Sequence, residues 1–385
     1  MRSTKARALL GAAAVCSMLL GACSSGAGTD SSTAKAAAQL DPSKLGPTSI
    51  IGQGPHGEAA ASMKDLGLSD ADAAKVRAGK FKVALVMHTE NLDWSKLQIQ
   101  GIKDTFKKYG VTISGTTAAE YKVDKQVADI ENTIQQKPDG IISIPVDNTA
   151  TAPAYKKIQQ AGIKLVLMDN VPQGLKYPQD YASMISADSQ GNGQIAAEVL
   201  SANVPKGGTV GIIDFGIDFF VTNQRTKGVK DWLKKNRSDI KIKETAFTDT
   251  SKVTQTAGDF ITANPDLKGL FTVWDAPALD TLSAMRASGS NVPLTTIDLG
   301  LEAAVEIASG GPLKGLGAQQ PYDQGVAEAM AMVNALIGKT PPAWVGVDAL
   351  PVVQSNVLEA YKTVFHQTPP KVLVDACKKA GKNCG

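Results

Sequence analysis

Six short segments of the 385-residue chain place carboxylates, amides, indole rings or a guanidinium close behind apolar runs. "HTENLDWS" holds His88, Asn91, Asp93, Trp94 and Ser95, and "MDN" holds Asp169 and Asn170. "TVWDAP" holds Trp274 and Asp275, "TIDLG" holds Asp298, and "AQQPYDQG" holds Gln319 and Gln320. "NQRTKG" follows the run "TVGIIDFG" and carries Arg225. Such groups suit a polyhydroxylated molecule. Carboxylates accept pairs of hydroxyl hydrogens, Arg and amide groups donate back, and aromatic faces lie against C–H surfaces. Taken singly each has an ordinary structural use, because an Asp after a strand caps helices and a Trp fills cores. The argument rests on their recurrence at corresponding places.

The elements that must position them follow from the alternation of the chain. From Phe81 onward, β-branched runs such as "KVALVM" (82–87), "GVTISG" (110–115), "GIISIP" (140–145) and "IKLVLM" (163–168) alternate with helical patterns. The alternation continues through "TVGIID" (209–214), "IKIKETAF" (240–247), "KGLFTV" (268–273) and "PLTTID" (293–298). The repeated strand–helix order predicts an α/β protein with doubly wound parallel sheets, too many strands for one small sheet and suited to two lobes. Ligands of such sheets sit beyond the carboxyl ends of the strands. The loops expected to matter start at His88, Pro145, Asp169, Asp214, Trp274, Asp298 and Gln319.

Other chemistries find little support. The only histidines are His56, His88 and His366, far apart, and H-E-x-x-H, G-x-S-x-G and P-loop patterns are absent, so no catalytic residue, metal or cofactor is assigned. "GQGPHG" (52–57) fits a dinucleotide pattern on paper, but Pro55 removes an amide and no proper strand precedes it. It reads as a linker turn. Apolar residues make up 43% and charged residues 20%, which is globular composition. Of the 40 basic residues, Arg2, Lys5 and Arg7 lie in an N-terminal export-like segment, which leaves 37 against 37 acidic residues. A neutral body gives no electrostatic case for nucleic acid.

That N-terminal segment has a basic start and an apolar stretch from about Ala8 to Ala22, short for a membrane span and apt for export. Its end, Leu20-Gly21-Ala22-Cys23, resembles a bacterial lipobox. The resemblance implies lipidation of Cys23, loss of residues 1–22 and anchoring on the outer face of the cell membrane. The small polar stretch behind it reads as a tether, and Ser69 reads as the N-cap of a short helix in "LSDADAAKVRAG". Outside the cytoplasm, Cys377 and Cys384 are expected to form a disulfide that staples the C-terminal tail.

From Lys82 to Gln354 the order of "ALVMHTENLDWSKLQIQGIKDTFKKYG", "DGIISIPVDNTATAPAYKKIQQAGIKLVLMDN", "ISADSQGNGQIAAEVL", "NQRTKGVKDWL", "NPDLKGLFTVWD" and "AQQPYDQG" resembles the ribose-type (type I) periplasmic sugar-binding proteins of ABC importers. LacI-type regulators share that fold, but no helix-turn-helix pattern precedes the first lobe here. The resemblance implies two lobes joined by a three-segment hinge, with crossings near Ala187–Asp188, Gln319–Gln320 and Ala349–Pro351. It divides the chain into a signal (1–22), a tether and extension (23–80), an N-terminal lobe (81–187 plus 320–350) and a C-terminal lobe (188–319 plus 351–385).

The resemblance also assigns roles. His88 is a polar contact, Trp94 an aromatic flanking the sugar ring, Asp169 a carboxylate for two hydroxyls and Arg225 the donor fork. Asp298 is a second-lobe carboxylate and Gln319 a hinge-side amide. Trp274 stands where ribose binders carry Asn, Asn170 where they carry Arg, and Ser95 where they carry a second aromatic, so a different sugar or a polyol is expected. A permease of the ABC type is the implied partner, and the protein is expected to be a monomer. An amino-acid or zwitterion receptor, with Arg225 on a carboxylate, and a ligand-presenting sensory partner are the alternative readings.

Overall fold

The computed structural model describes residues 40–382 and 384–385; the export segment, Cys23 and the tether behind it lie outside the described residues. The first part of the chain runs α1 (Asp70–Gly79), β1 (Lys82–Met87), α2 (Asp93–Tyr109), β2 (Thr112–Ala118), α3 (Val123–Gln135), β3 (Gly140–Ser143), α4 (Ala152–Gln160), β4 (Lys164–Met168) and β5 (Ser183–Ala187). The middle runs α5 (Ser189–Asn203), β6 (Thr209–Phe215), α6 (Phe220–Asn236), β7 (Lys241–Phe247), α7 (Val253–Ala263), β8 (Leu267–Thr272), α8 (Asp275–Ser288), β9 (Leu294–Ile297), α9 (Leu301–Ser309) and β10 (Leu313–Ala318). It closes with α10 (Pro321–Leu336), β11 (Trp344–Val347), β12 (Leu350–Val353), α11 (Val357–Phe365) and α12 (Lys371–Lys379).

Two six-stranded sheets result, ordered β11-β5-β4-β3-β1-β2 and β12-β10-β9-β8-β6-β7. The first is parallel throughout, and in the second only the β10–β12 pair is antiparallel. Alternation along β1 explains the double winding. Val83, Leu85 and Met87 join one apolar cluster with Ile102 and Phe106 of α2, while Ala84 and Val86 join another with Ile130 of α3 and Tyr155 of α4. A strand covered on both faces reads as a continuous apolar run, as "KVALVM" does. The edge strand β2, "TISGTTA", is partly exposed and rich in Thr.

The chain passes between the sheets three times. After β5 of the first sheet, α5 packs on β8, β9 and β10 of the second. After β10, α10 packs on β3, β4 and β5. The last passage joins β11 of the first sheet to β12 of the second.

Each lobe contains a glycine-paired helix crossing. A Cβ on Gly101 of α2 would lie 2.2 Å from the Tyr322 carbonyl oxygen, and one on Gly325 of α10 would lie 2.2 Å from that of Gln98. In the other lobe, a Cβ on Gly193 of α5 would lie 2.1 Å from the Arg225 carbonyl oxygen, and one on Gly228 of α6 would lie 2.2 Å from that of Gln190. These contacts are possible only without side chains. They set the depth of α2, which carries Trp94, and of α6, which carries Arg225.

The N-terminal extension is packed from Leu40 onward. Leu40 and Leu45 lie against Ile195, Val199 and Val353, and the Gly46 amide donates to Glu198 at 2.6 Å. Ile51 and Gly52 donate their amides to the two carboxylate oxygens of Asp188 at 2.9 and 3.0 Å. Asp188 also caps α5 through Gly191. Ala61 then bridges Val345 at the edge of the first sheet. "GQGPHG" forms a turn closed by Gly57 to Gly54, and Ser69 caps α1 by accepting from Asp72. At the other end, Cys377 and Cys384 are joined by a disulfide with a Cα–Cα distance of 6.1 Å, and the Leu358 amide donates to the Cys384 carbonyl. No helix among the described residues is long and apolar enough to cross a membrane.

Candidate functional site

Strand ends from both sheets converge on one half-open space of about 60 Å³. The first lobe contributes His88 after β1, Trp94 in the first turn of α2, Tyr121 after β2, and Asp169 after β4. The second contributes Phe215 at the end of β6, Arg225 on α6, Trp274 and Asp275 after β8, and Asp298 after β9. Gln319 joins them from the passage between β10 and α10, and Leu92, Ile144, Val146, Phe219, Val221 and Thr222 complete the lining.

The aromatic walls are built lobe by lobe. His88 sits edge-on to Trp94 and to Tyr121, with ring centres 5.5 and 5.0 Å apart. Across the space, Trp274 stands edge-on to Phe215 at 5.3 Å and is backed by Phe247 at 5.4 Å. Burial lowers the His88 imidazole to about 3, so it is neutral and offers one donor and one acceptor.

Between the walls lies a charged cluster. Arg225 Nη1 donates to Asp298 Oδ2 and to the Val273 carbonyl, both at 3.2 Å. Gln319 Nε2 donates to Asp298 Oδ1 at 2.7 Å. Burial raises the Asp298 carboxyl, and Arg225 and Gln319 oppose the rise. Asp275 is spoken for differently, accepting the Gly300 amide at 2.8 Å and its neighbour Ala276. Burial, with Asp298 adding to it, pushes Asp275 up to about 7. Among the described residues the Asp169 side chain has one donor, Gln324 Nε2 at 3.4 Å. Burial pushes it up to about 7, with Arg225 opposing and Asp298 adding.

Asp169 and Asp298 occupy matching places, each directly after the fourth strand of its lobe, and both adopt left-handed backbone with φ of 56° and 71°. That conformation is uncommon outside glycine and is tolerated best by Asp and Asn. Several buried polar atoms around the space have no partner among the described residues: Trp94 Nε1, His88 Nδ1, Arg225 Nε and Gln319 Oε1. Polar atoms left unpaired out of water are costly, and functional sites are where folds keep them.

Three residues expected in the site are elsewhere. Asp93 does not line the space; its Oδ2 accepts the Leu301 amide at the start of α9, 3.1 Å away, and so ties the first lobe to the second. Ser95 is fully buried with an unpartnered hydroxyl and does not line the space. Neighbours one position from Trp94 on a helix are turned about 100° from it, so the three cannot share a face. Asn170 is buried beside the cavity, and its Oδ1 accepts the Phe220 amide of the second lobe at 3.4 Å. Asp214 falls inside β6, not at a loop start. Tyr121 and Phe215 are aromatic lining residues that sequence reasoning missed, as it did the smaller Leu92, Ile144, Val146, Val221 and Thr222. Nothing local marks Tyr121 except a left-handed φ of 59°, which is invisible in sequence. Among the described residues no cluster of His, Cys, Asp or Glu could hold a metal ion.

Two α/β lobes, three passages between them and a polar, aromatic-walled site at facing strand ends define a two-lobed binding protein. The chain belongs to the family described as periplasmic binding protein domain, whose sequence profile matches residues 83–340. It is 26% identical over 269 residues to the D-ribose/D-allose-binding protein of Pseudomonas aeruginosa, covering 68% of this chain and 84% of that one. It is 25% identical over 249 residues to the xylitol-binding protein of Mycolicibacterium smegmatis, covering 63% and 70%. Its fold matches an ABC transporter solute-binding protein from Agrobacterium vitis solved with alpha-D-tagatopyranose. The TM-score is 0.69 at 22% identity, over 76% of this chain and all of that one.

Proposed function

We propose that the protein captures a small sugar or polyol between its lobes and delivers it to an ABC permease. The supporting observation is the ring of unpartnered buried polar atoms beside Asp169, between two aromatic walls. Ligand hydroxyls donate to Asp169 and Gln319 Oε1 and accept from Arg225 Nε and Trp94 Nε1; the C–H faces of the ligand lie on Trp94 and Trp274. The relatives named for D-ribose, D-allose and xylitol favour this class of ligand. Trp274, which lines the space and departs from the ribose pattern, favours a ligand other than ribose.

The space lies between facing strand ends of the two lobes, so a ligand held there touches both. Binding then favours the closed arrangement because only that arrangement satisfies both halves of the site. The permease reads the closed form. Export and lipidation at Cys23 would hold the protein, as a monomer, on the outer face of the membrane.

A thermal-shift panel of D-ribose, D-allose, xylitol, D-tagatose and amino acids tests the reading. A bound compound at 100 times its dissociation constant stabilises by roughly 2.7 kcal/mol. A shift with an amino acid and none with any sugar or polyol would overturn it.

A further inference from the structure

Behind Asp169, inside the first lobe, lies a polar group of side chains that ligand contact does not employ. Gln98 on α2 and Gln324 and Glu328 on α10 are each fully buried. They sit at the glycine-paired crossing of these helices, where a Cβ on Gly325 would meet the Gln98 carbonyl oxygen. With its amide oriented by the surrounding groups, Gln98 Nε2 reaches both oxygens of Glu328, at 2.5 and 2.9 Å. Gln324, one helical turn before Glu328 on the same face, supplies the only donor to the Asp169 side chain among the described residues.

Two carboxyl groups so placed cannot both ionise cheaply, since each is removed from water and each repels the other. Of the two, only Asp169 shares the cavity with a guanidinium, that of Arg225. Burial, and then the Asp169 carboxylate, drive Glu328 well above the usual carboxyl range. Asp298 is the remaining charged group acting on Asp169.

We propose that Glu328 is a neutral positioning residue which, held by Gln98, fixes α10 so that Gln324 aims an ionised Asp169 at the ligand. A neutral acid suits either orientation of the Gln98 amide, accepting from Nε2 at its carbonyl oxygen or donating its own proton to Oε1. The proposal rests on the reading of the cavity as a sugar or polyol site. Asp169 must ionise to accept two hydroxyls, so affinity rises with pH through the Asp169 titration. The midpoint of that rise reports how well Gln324 supports the ionised form.

The test is calorimetry on wild type, Glu328→Leu and Glu328→Gln from about pH 5.5 to 8.5, using whichever of D-ribose, D-allose, xylitol and D-tagatose binds most tightly. Glu328→Leu should weaken binding at least about tenfold and move the midpoint up by about half a pH unit, because the donor to Asp169 is displaced. Glu328→Gln, which keeps the hydrogen bonds and cannot ionise, should restore both to near the wild-type values. A midpoint unmoved in Glu328→Leu reduces Glu328 to packing. A midpoint that falls by a unit or more in Glu328→Gln means Glu328 is charged. Either result overturns the proposal. Should wild type bind none of the four, the reading of the cavity fails separately. The infrared difference between wild type and Glu328→Gln at pH 7 then decides: a protonated-acid C=O band supports the proposal, and carboxylate bands alone refute it.

Discussion

The loops after β4 and β9 hold the two carboxylates of the site in the same left-handed conformation, yet with different hydrogen-bond partners. Asp298 has both oxygens engaged, by Arg225 and Gln319, before any ligand arrives. Among the described residues the Asp169 side chain has a single long hydrogen bond, and it lies near neutrality in its titration. The Asp298 carboxylate of the second lobe is thus already held, and the Asp169 carboxylate of the first is one that a ligand must finish. A two-lobed receptor gains from that asymmetry. The lobe whose carboxylate is already held can take a ligand first, and the other then closes over it, gaining the interactions that drive closure.

Removing the guanidinium should have the largest effect, because it takes away what holds Asp298. Arg225→Ala leaves Asp298 buried without its cation, which costs about 3–5 kcal/mol of stability. Binding of any sugar or polyol should be lost, as calorimetry and thermal melts would record. A variant that melts like wild type would show that Asp298 is not held in this way.

Asp169→Asn should behave in the opposite sense for stability. The folded-state value of about 7 lies above the ordinary 3.8, so the favourable contribution is complete below about pH 4 and is lost as pH rises through 7. The free protein should therefore melt higher at pH 6.5 than at pH 8, with Asp275 acting in the same direction. Below about 6.5 the buried His88 opposes the trend, since its lowered value penalises folding as acid is added. Asn keeps the left-handed backbone and removes the charge. Asp169→Asn should gain roughly 1–3 kcal/mol at pH 8 while losing ligand affinity. A destabilised Asp169→Asn would mean that Asp169 is as well held as Asp298.

Gly193→Ala forces a methyl group to within 2.1 Å of the Arg225 backbone, so α6 must move. The expected loss is about 1–3 kcal/mol with weakened binding, read from melts and calorimetry. Asp93→Ala should have the smallest effect, removing one contact between the lobes at the start of α9. About 0.5–1 kcal/mol of closure is at stake, a two- to fivefold weaker affinity. No change at all would remove Asp93 from any part in closure.

Much of this could be read from the chain. Parallel central strands such as β1 and β4 are apolar on both faces and stand out. β10, "LKGLGA", and β5, "SMISA", lack β-branched density and pass for loops, although both are buried sheet strands. Arg225, Asp169 and Asp298 were legible because their polar type contrasts with the apolar runs before them. Asp93, Ser95 and Asn170 were drawn in by adjacency, whereas helix and turn geometry sends adjacent side chains different ways. Tyr121 and Phe215 come to the cavity only through sheet packing, which leaves no local mark. The course of residues 40–61 over Asp188 was equally hidden, since it depends on backbone amides and not on side-chain type.

Proton release on binding tests the central claim most directly. Calorimetry of the tightest sugar or polyol at pH 7, repeated in two buffers of different ionisation enthalpy, counts protons exchanged. If hydroxyls complete an ionised Asp169, wild type should release about half a proton per ligand bound, and Asp169→Asn, as far as binding remains measurable, none. Tight binding by wild type with no proton release would contradict the account.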